Sequence, residues 1–178
     1  MTNHLLKIVY VDMEESSRIN GTSSGVERKK NAQIKELAKI GKVERLTYRI
    51  EKANLIGKVT RRLPFFPSSS YFRYSNILDN VDIVYYRKSI FDSNLIKLLH
   101  DIKSSNPNCL IICELPTFPY DNEFKSIQKF PILLKDKFNR RKLAQYIDKI
   151  VTLTNDSYIF GIPTIKTING IDFSITHQ

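Results

Sequence analysis

Short apolar runs recur along this chain and alternate with longer segments of helical periodicity. The first run, residues 5–11, reads Leu-Leu-Lys-Ile-Val-Tyr-Val, and similar runs fall at 81–86 and 110–113. Strands that are apolar on both faces are typical of parallel sheets covered by helices. Their alternation with helical segments predicts right-handed βαβ units, and therefore a Rossmann-like, doubly wound parallel sheet in three α/β/α layers.

Capping signals place the helices between these strands. Ser24 stands three residues before Glu27, the spacing of a capping box, and Gly41 is positioned as a left-handed C-terminal cap. These signals predict a first helix over residues 25–40, and Asp92 is expected to cap a second helix. The other predicted elements are strands at 43–48, 149–153 and 164–168, a stop to the second helix at 104–107, and a basic amphipathic helix over 138–147.

Length and composition indicate one ordinary globular domain. The chain has 178 residues, 42% of them hydrophobic, which is enough to bury a sizeable core. We assign residues 1–168 to a Rossmann-like domain, with 50–80 as an irregular excursion because that stretch lacks clean periodicity. No apolar run reaches the roughly 20 residues needed to span a bilayer, and no signal peptide is evident.

Two cysteines and three histidines are the only residues of their kinds. Cys109 and Cys113 lie at i, i+4 within one predicted strand, a spacing too long for easy bridging, so we expect buried free thiols and a reducing compartment. The histidines are scattered and lie near no acidic or cysteine cluster with metal-ligand spacing. We therefore expect no metal site and no bound cofactor.

The chain carries a formal net charge of +10, with 28 basic against 18 acidic residues. The excess is concentrated in patches at residues 28–30, 58–62 and 135–142. Such a field attracts anions of several kinds, so nucleic acid, anionic lipid and phosphorylated metabolites all remain open, as does a simple solvated surface.

Two predicted strand ends carry candidate anion ligands. In doubly wound sheets, ligands bind beyond the carboxyl ends of the strands. Ser24 and Gly25 open the first helix, where free backbone N–H groups favour an anion, and Arg87 follows the strand at 81–86, where it can bind phosphate or carboxylate. A capped helix and a surface ion pair are the structural alternatives. The glycine patterns of dinucleotide-binding and P-loop proteins are absent.

The loop at residues 114–121, Glu-Leu-Pro-Thr-Phe-Pro-Tyr-Asp, is the third candidate. Its two prolines stiffen a segment with two carboxylates, a hydroxyl and an aromatic ring, which is the composition of a sugar-binding surface. We expect Glu114 and Asp121 to be catalytic residues and Thr117 and Tyr120 to contact the acceptor. A purely structural turn, in which Glu114 accepts N–H bonds from the first helix, is the alternative.

Several strings together resemble one family. They are Ser-Gly-Val-Glu-Arg-Lys-Lys at 24–30, the 114–121 loop, Ile-Val-Thr at 150–152 and the run ending in Asn-Gly-Ile-Asp at 160–172. Over residues 5–172 the chain resembles the N-terminal domain of bacterial retaining glycosyltransferases of family 4, which have the two-domain GT-B fold. The Asn-Gly-Ile-Asp string is the most specific part, because in that family it leads into the second domain.

The resemblance implies an acceptor-side domain. In that family the C-terminal domain holds most of the nucleotide-sugar donor, no metal is needed, and residues 169–178 would begin the interdomain linker. A chain without the donor domain is expected to be inactive alone. The implied enzyme is cytoplasmic, is peripheral on the inner face of the membrane, and extends a cell-surface polysaccharide or lipid-linked oligosaccharide. We expect an anionic membrane surface to bind 58–62, Phe65 and Phe66.

Charge alone supports a different class, a basic nucleic-acid-binding module or another non-enzymatic α/β binding module. No recognisable nucleic-acid-binding motif occurs, and the acidic central loop would repel phosphates. We therefore expect no nucleic-acid partner. A response-receiver regulator is set aside, because no acidic residue ends the third strand.

Overall fold

The computed structural model describes residues 5–13, 25–50, 57, 63, 65–71, 77–87, 90–124 and 129–168. Ser24, the basic run at 58–62 and the expected linker at 169–178 lie outside these residues. The strands are β1 (Leu6–Met13), β2 (Gly41–Ile50), β3 (Ser69–Tyr71), β4 (Ile83–Arg87), β5 (Leu110–Leu115), β6 (Lys149–Thr152), β7 (Tyr158–Ile159) and β8 (Ile162–Lys166). The helices are α1 (Gly25–Leu37), α2 (Ser93–Ser105) and α3 (Phe130–Arg140), with single 3-10 turns at Asp121–Phe124 and Leu143–Gln145.

These elements form a mostly parallel α/β sheet with the strand order β3-β2-β1-β4-β5-β6-β8-β7. Strands β2, β1, β4, β5, β6 and β8 run parallel, and the short strands β3 and β7 pair antiparallel at the two ends. The chain moves outward from β1 to β2 and β3, then returns to place β4 on the other side of β1. The order therefore reverses between β1 and β4, an arrangement compatible with a Rossmann-like fold.

The main apolar core lies on the face of the sheet that α2 covers. Val9, Val84 and Cys113 point into it from three neighbouring strands, and Leu95 and Ile102 of α2 pack against them, all fully buried. Because successive side chains of a strand alternate between faces, the residues beside these three point to the opposite face, which α1 covers. That second face carries most of the polar side chains discussed below.

The strand predictions at 5–11, 43–48, 81–86, 110–113 and 149–153 are confirmed, with shifts at their ends. The prediction at 164–168 is two residues late, because β8 starts at Ile162. Asp92 caps α2 as expected, since its side chain accepts a hydrogen bond from the Leu95 backbone N–H at 3.0 Å. Cys109 and Cys113 are buried free thiols, also as expected.

The predicted role of Gly41 as a helix cap is wrong. Gly41 does not cap α1 in the left-handed region but begins β2, where it pairs with Leu6 of β1. A Cβ at Gly41 would clash with the carbonyl oxygen of Leu6. The glycine therefore permits a close approach of two strands, and α1 ends at Leu37, three residues earlier than predicted.

The helix expected over 138–147 is also wrong. α3 spans Phe130–Arg140 and has Pro131 in its first turn, where a missing N–H costs no hydrogen bond. Leu143 lies in the 3-10 turn that follows the helix and Ile147 lies just before β6, and both are buried in the core. Their helix-like apolar spacing therefore comes from two separate short segments. β3, within the expected excursion at 50–80, and β7, which pairs with β8, were not predicted.

None of the helices in the described part of the chain is both long and apolar enough to cross a membrane.

Candidate functional site

The carboxyl ends of β1, β4 and β5 meet beneath α1, at the point where the strand order reverses. Tyr10 pairs with Tyr85 across β1 and β4, and Arg87 pairs with Glu114 across β4 and β5. Their side chains share the α1 face of the sheet. Two of the predicted site residues, Arg87 and Glu114, are therefore neighbours.

Gln33 of α1 links these strand ends. Its side-chain amide donates to Glu114 Oε2 at 2.9 Å, and its Oε1 accepts from the Tyr10 hydroxyl at 2.7 Å and from Arg87 at 3.3 Å. The Tyr85 hydroxyl also donates to Glu114 Oε2, at 3.4 Å. One glutamine thus joins a helix and three strands in a single polar network.

Positive charges outnumber negative charges in this network. Glu114 is buried, with its carboxylate 3.1 Å from Lys29 Nζ and 3.7 Å from Arg87. The Lys29 side chain is 34% exposed and the Arg87 side chain 15%, whereas Glu114 is 3% exposed. Two cations face one carboxylate, and the cations are the groups that solvent reaches. The network can therefore accept a further anionic group. We call Tyr10, Lys29, Gln33, Tyr85, Arg87 and Glu114 the switch-point cluster.

The two tyrosines of the switch-point cluster stay protonated over a wide pH range. Their rings stack with centroids 5.5 Å apart and an interplanar angle of 9°. Burial, reinforced by the Glu114 charge, raises the pKa of Tyr10 to about 12, and the same two causes raise the pKa of Tyr85. Both hydroxyls therefore act as hydrogen-bond donors at neutral pH.

A second set of charges lies beside the cluster, under the first turns of α1. Asp12 is buried at the end of β1, where Arg45 binds it through two nitrogens at 2.9 and 2.7 Å and Lys30 Nζ lies at 2.9 Å. Glu27 completes the set, 3.2 Å from Arg45 and 3.5 Å from Lys30. Two acids balance two bases here, so this group fixes α1 on the sheet and leaves the excess charge to the switch-point cluster.

The far end of the 114–121 loop lies on the opposite face. Tyr120 is buried in the main core, where its hydroxyl donates to Asp136 of α3 at 2.5 Å. Asp121 pairs with Arg140 at 2.8 Å and Lys137 at 3.1 Å, and the hydrogen bond from Arg140 lowers the pKa of that carboxyl. The structure therefore does not bring Tyr120 and Asp121 to Glu114.

The two remaining candidates that the structure describes, Thr117 and Gly25, are both exposed. A Cβ at Gly25 would meet no atom within 4 Å, so packing among the described residues does not require a glycine there. The third candidate, Ser24, lies outside the described part of the chain.

Family models, curated proteins and solved structures were all compared with this chain. None of them matches it.

The residues of the site are therefore what indicates a function. Sequence reasoning missed Tyr10, Lys29, Gln33 and Tyr85. Lys29 and Gln33 lie at i, i+4, so they share one face of α1, and this spacing was the available signal. In the described residues no group of three or more His, Cys, Asp or Glu could hold a metal. What the cluster offers is cationic and hydroxyl donors around one fixed carboxylate, which is suited to an anionic, hydroxyl-rich ligand.

Proposed function

We propose that this chain is the acceptor-binding domain of a retaining glycosyltransferase with a Rossmann-like, GT-B-type architecture. The enzyme would transfer a sugar from a nucleotide-sugar to a cell-surface polysaccharide or lipid-linked oligosaccharide, on the cytoplasmic side of the membrane. One observation carries the proposal: a polar cluster with excess positive charge lies where the strand order reverses, the place where open α/β sheets bind ligands. The family resemblance of the sequence supports the same reading.

The exposure of the charged groups favours distinct roles for them. Lys29 and Arg87 would bind the anionic part of the acceptor, such as a diphosphate, because their side chains reach solvent. Glu114 would act as a positioning residue, since both of its oxygens are engaged by Lys29, Gln33 and Arg87. The expected catalytic role of Glu114 is thus replaced, in this proposal, by orientation of the two cations.

Substitution at two acids tests this assignment. In the full product of the gene, Glu114→Gln should lower sugar transfer more than about tenfold, because Lys29 and Arg87 lose the charge that orients them, a contribution of roughly 1.5–3 kcal/mol per charged hydrogen bond. Asp121→Asn is the matched control on the opposite face, and it should leave transfer close to the unsubstituted rate. Initial rates and thermal unfolding of each variant give the comparison.

An equal loss of sugar transfer in both variants would indicate that the whole 114–121 loop forms the site. Normal transfer by Glu114→Gln, or loss that only accompanies unfolding, would refute the proposed site.

A further inference from the structure

The outward face of α3 carries apolar side chains where a surface helix ordinarily carries polar ones. Phe130, Leu134 and Phe138 follow one another at four-residue spacing, so they form one stripe along the helix. Phe130 is 52% exposed and Leu134 is 45% exposed. The opposite side of the helix is buried through Leu133 and Asp136. The stripe therefore faces away from the core.

A neighbouring segment widens this stripe. The ring of Phe65 packs edge-on against Phe138, with centroids 4.9 Å apart. Lys135 Nζ donates to Ser68 Oγ at 2.7 Å, which holds the segment against α3. Three apolar side chains of this segment are exposed, by 46%, 69% and 46%: Leu63, Phe65 and Phe66. Apolar exposure therefore extends over two elements that touch through Phe65 and Phe138.

Basic residues adjoin the stripe. Arg141 lies three residues beyond Phe138, so it flanks the stripe, and Lys142 Nζ lies 5.4 Å from the centre of the Phe138 ring, whereas Lys137 is paired with Asp121. Lys129, Arg141 and Lys142 are exposed. We call the whole surface the α3 face: Leu63, Phe65, Phe66, Phe130, Leu134 and Phe138, with Lys129, Arg141 and Lys142.

We propose that the α3 face docks this protein on an anionic lipid bilayer. Aromatic and leucine side chains enter the boundary between headgroups and acyl chains, while lysine and arginine beside them bind anionic headgroups. Each basic residue near such a surface contributes a favourable interaction, and the chain as a whole is positively charged. The α3 face shares no residue with the switch-point cluster, so its docking on a bilayer does not depend on the proposed glycosyltransferase function.

A bilayer fits this face better than a nucleic acid does. Phosphates would satisfy the lysines and arginine, but Leu63 and Leu134 would stay in water, because aliphatic side chains give bases little to stack on. The sequence alone placed the membrane contact at 58–62 with Phe65 and Phe66. The structure shows that Phe65 adjoins α3, and α3 supplies the regular apolar stripe.

Vesicle co-sedimentation of the 178-residue chain tests the proposal. Two double variants alter the face through exposed residues: Phe130→Ser with Leu134→Ser, and Arg141→Glu with Lys142→Glu. Both should lower partitioning to phosphatidylcholine vesicles containing phosphatidylglycerol more than about tenfold. The unsubstituted chain should bind these vesicles at low salt, bind less at high salt because ions screen the headgroup charge, and bind pure phosphatidylcholine weakly.

Lys39→Glu with Ile40→Ser is the matched control, because it changes one exposed charge and one exposed apolar residue after α1. It should bind as the unsubstituted chain does, and circular dichroism should show all variants folded. The proposal would be overturned if the α3-face variants bound vesicles as well as the unsubstituted chain does, or if the control variant lost as much binding as they do. Equal binding of the unsubstituted chain to anionic and to pure phosphatidylcholine vesicles would overturn it too. Binding to oligonucleotides without binding to vesicles would assign the face to nucleic acid and overturn it as well.

Discussion

Tyr10 gives the most direct residue-scale prediction, because its pKa is raised from 10.0 to about 12 by burial and by the nearby Glu114 charge. The folded state keeps the Tyr10 proton at pH values where the unfolded chain loses it. This contribution to stability is complete below pH 10.0 and is lost as the pH rises through about 12. The free energy of unfolding should therefore fall steeply over that window, and less steeply in Tyr10→Phe.

Urea unfolding at a series of alkaline pH values measures that slope. Tyr158→Phe is a suitable control, because Tyr158 is 67% exposed. Identical slopes for Tyr10→Phe and the unsubstituted chain would show that the Tyr10 hydroxyl is not held protonated by the fold.

At the same scale, the sequence identified residues that directly end strands and missed those that reach the site from a helix. Arg87 and Glu114 were found because parallel strands align their carboxyl ends, which is a property of local pattern. Gln33 was missed, because only the packing of α1 on β1 determines which helical positions face the sheet. Asp121 was grouped with Glu114 by closeness in sequence, yet the loop between them crosses from one face of the sheet to the other.

At the scale of elements, a buried carboxylate of α3 joins the helix to two other parts of the chain. Asp136 accepts hydrogen bonds from the Tyr120 hydroxyl and from the Phe91 backbone N–H, and it lies 3.7 Å from Arg140. Removing one partner of a buried ion pair costs about 3–5 kcal/mol. Asp136→Ala should therefore lower the free energy of unfolding by roughly 3 kcal/mol or more, and Tyr120→Phe by about 1–3 kcal/mol.

Chemical denaturation of both variants gives these values. Asp101→Ala provides the contrast, because its ion pair with Lys97 lies on the surface of α2, where such pairs contribute about 1 kcal/mol or less. A loss for Asp136→Ala no larger than that for Asp101→Ala would refute the role given to the buried carboxylate.

Elements with a complete local signal were predicted, and elements defined by distant partners were not. Asp92 and the apolar spacing after it are sufficient to define the start of α2. The three-residue strand β3 has no such signal, because it exists only through antiparallel pairing with β2. The helix α3 was predicted too late in the chain, because Leu143 and Ile147 continue an apparent helical spacing through a 3-10 turn and the residues just before β6.

For the whole molecule, the alternation of strands and helices predicted the α/β class but not the position of the reversal in strand order. That position depends on β4 pairing with β1 instead of continuing beyond β3, a contact between segments more than seventy residues apart along the chain. The reversal decides which strand ends meet, and it separates the switch-point cluster from the α3 face. A bound acceptor and a docked membrane would therefore occupy different surfaces of the same domain.

In the proposed function, the switch-point cluster binds the acceptor. The most direct measurement is a nuclear magnetic resonance titration of the isotope-labelled chain with a saccharide linked to a short-chain polyprenyl diphosphate. We predict saturable shifts at Lys29, Gln33 and Arg87 that are lost in Lys29→Gln, together with weaker shifts for the saccharide lacking the diphosphate. Absence of shifts at the cluster, shifts centred instead on Asp121, or unchanged binding by Lys29→Gln would contradict the claim.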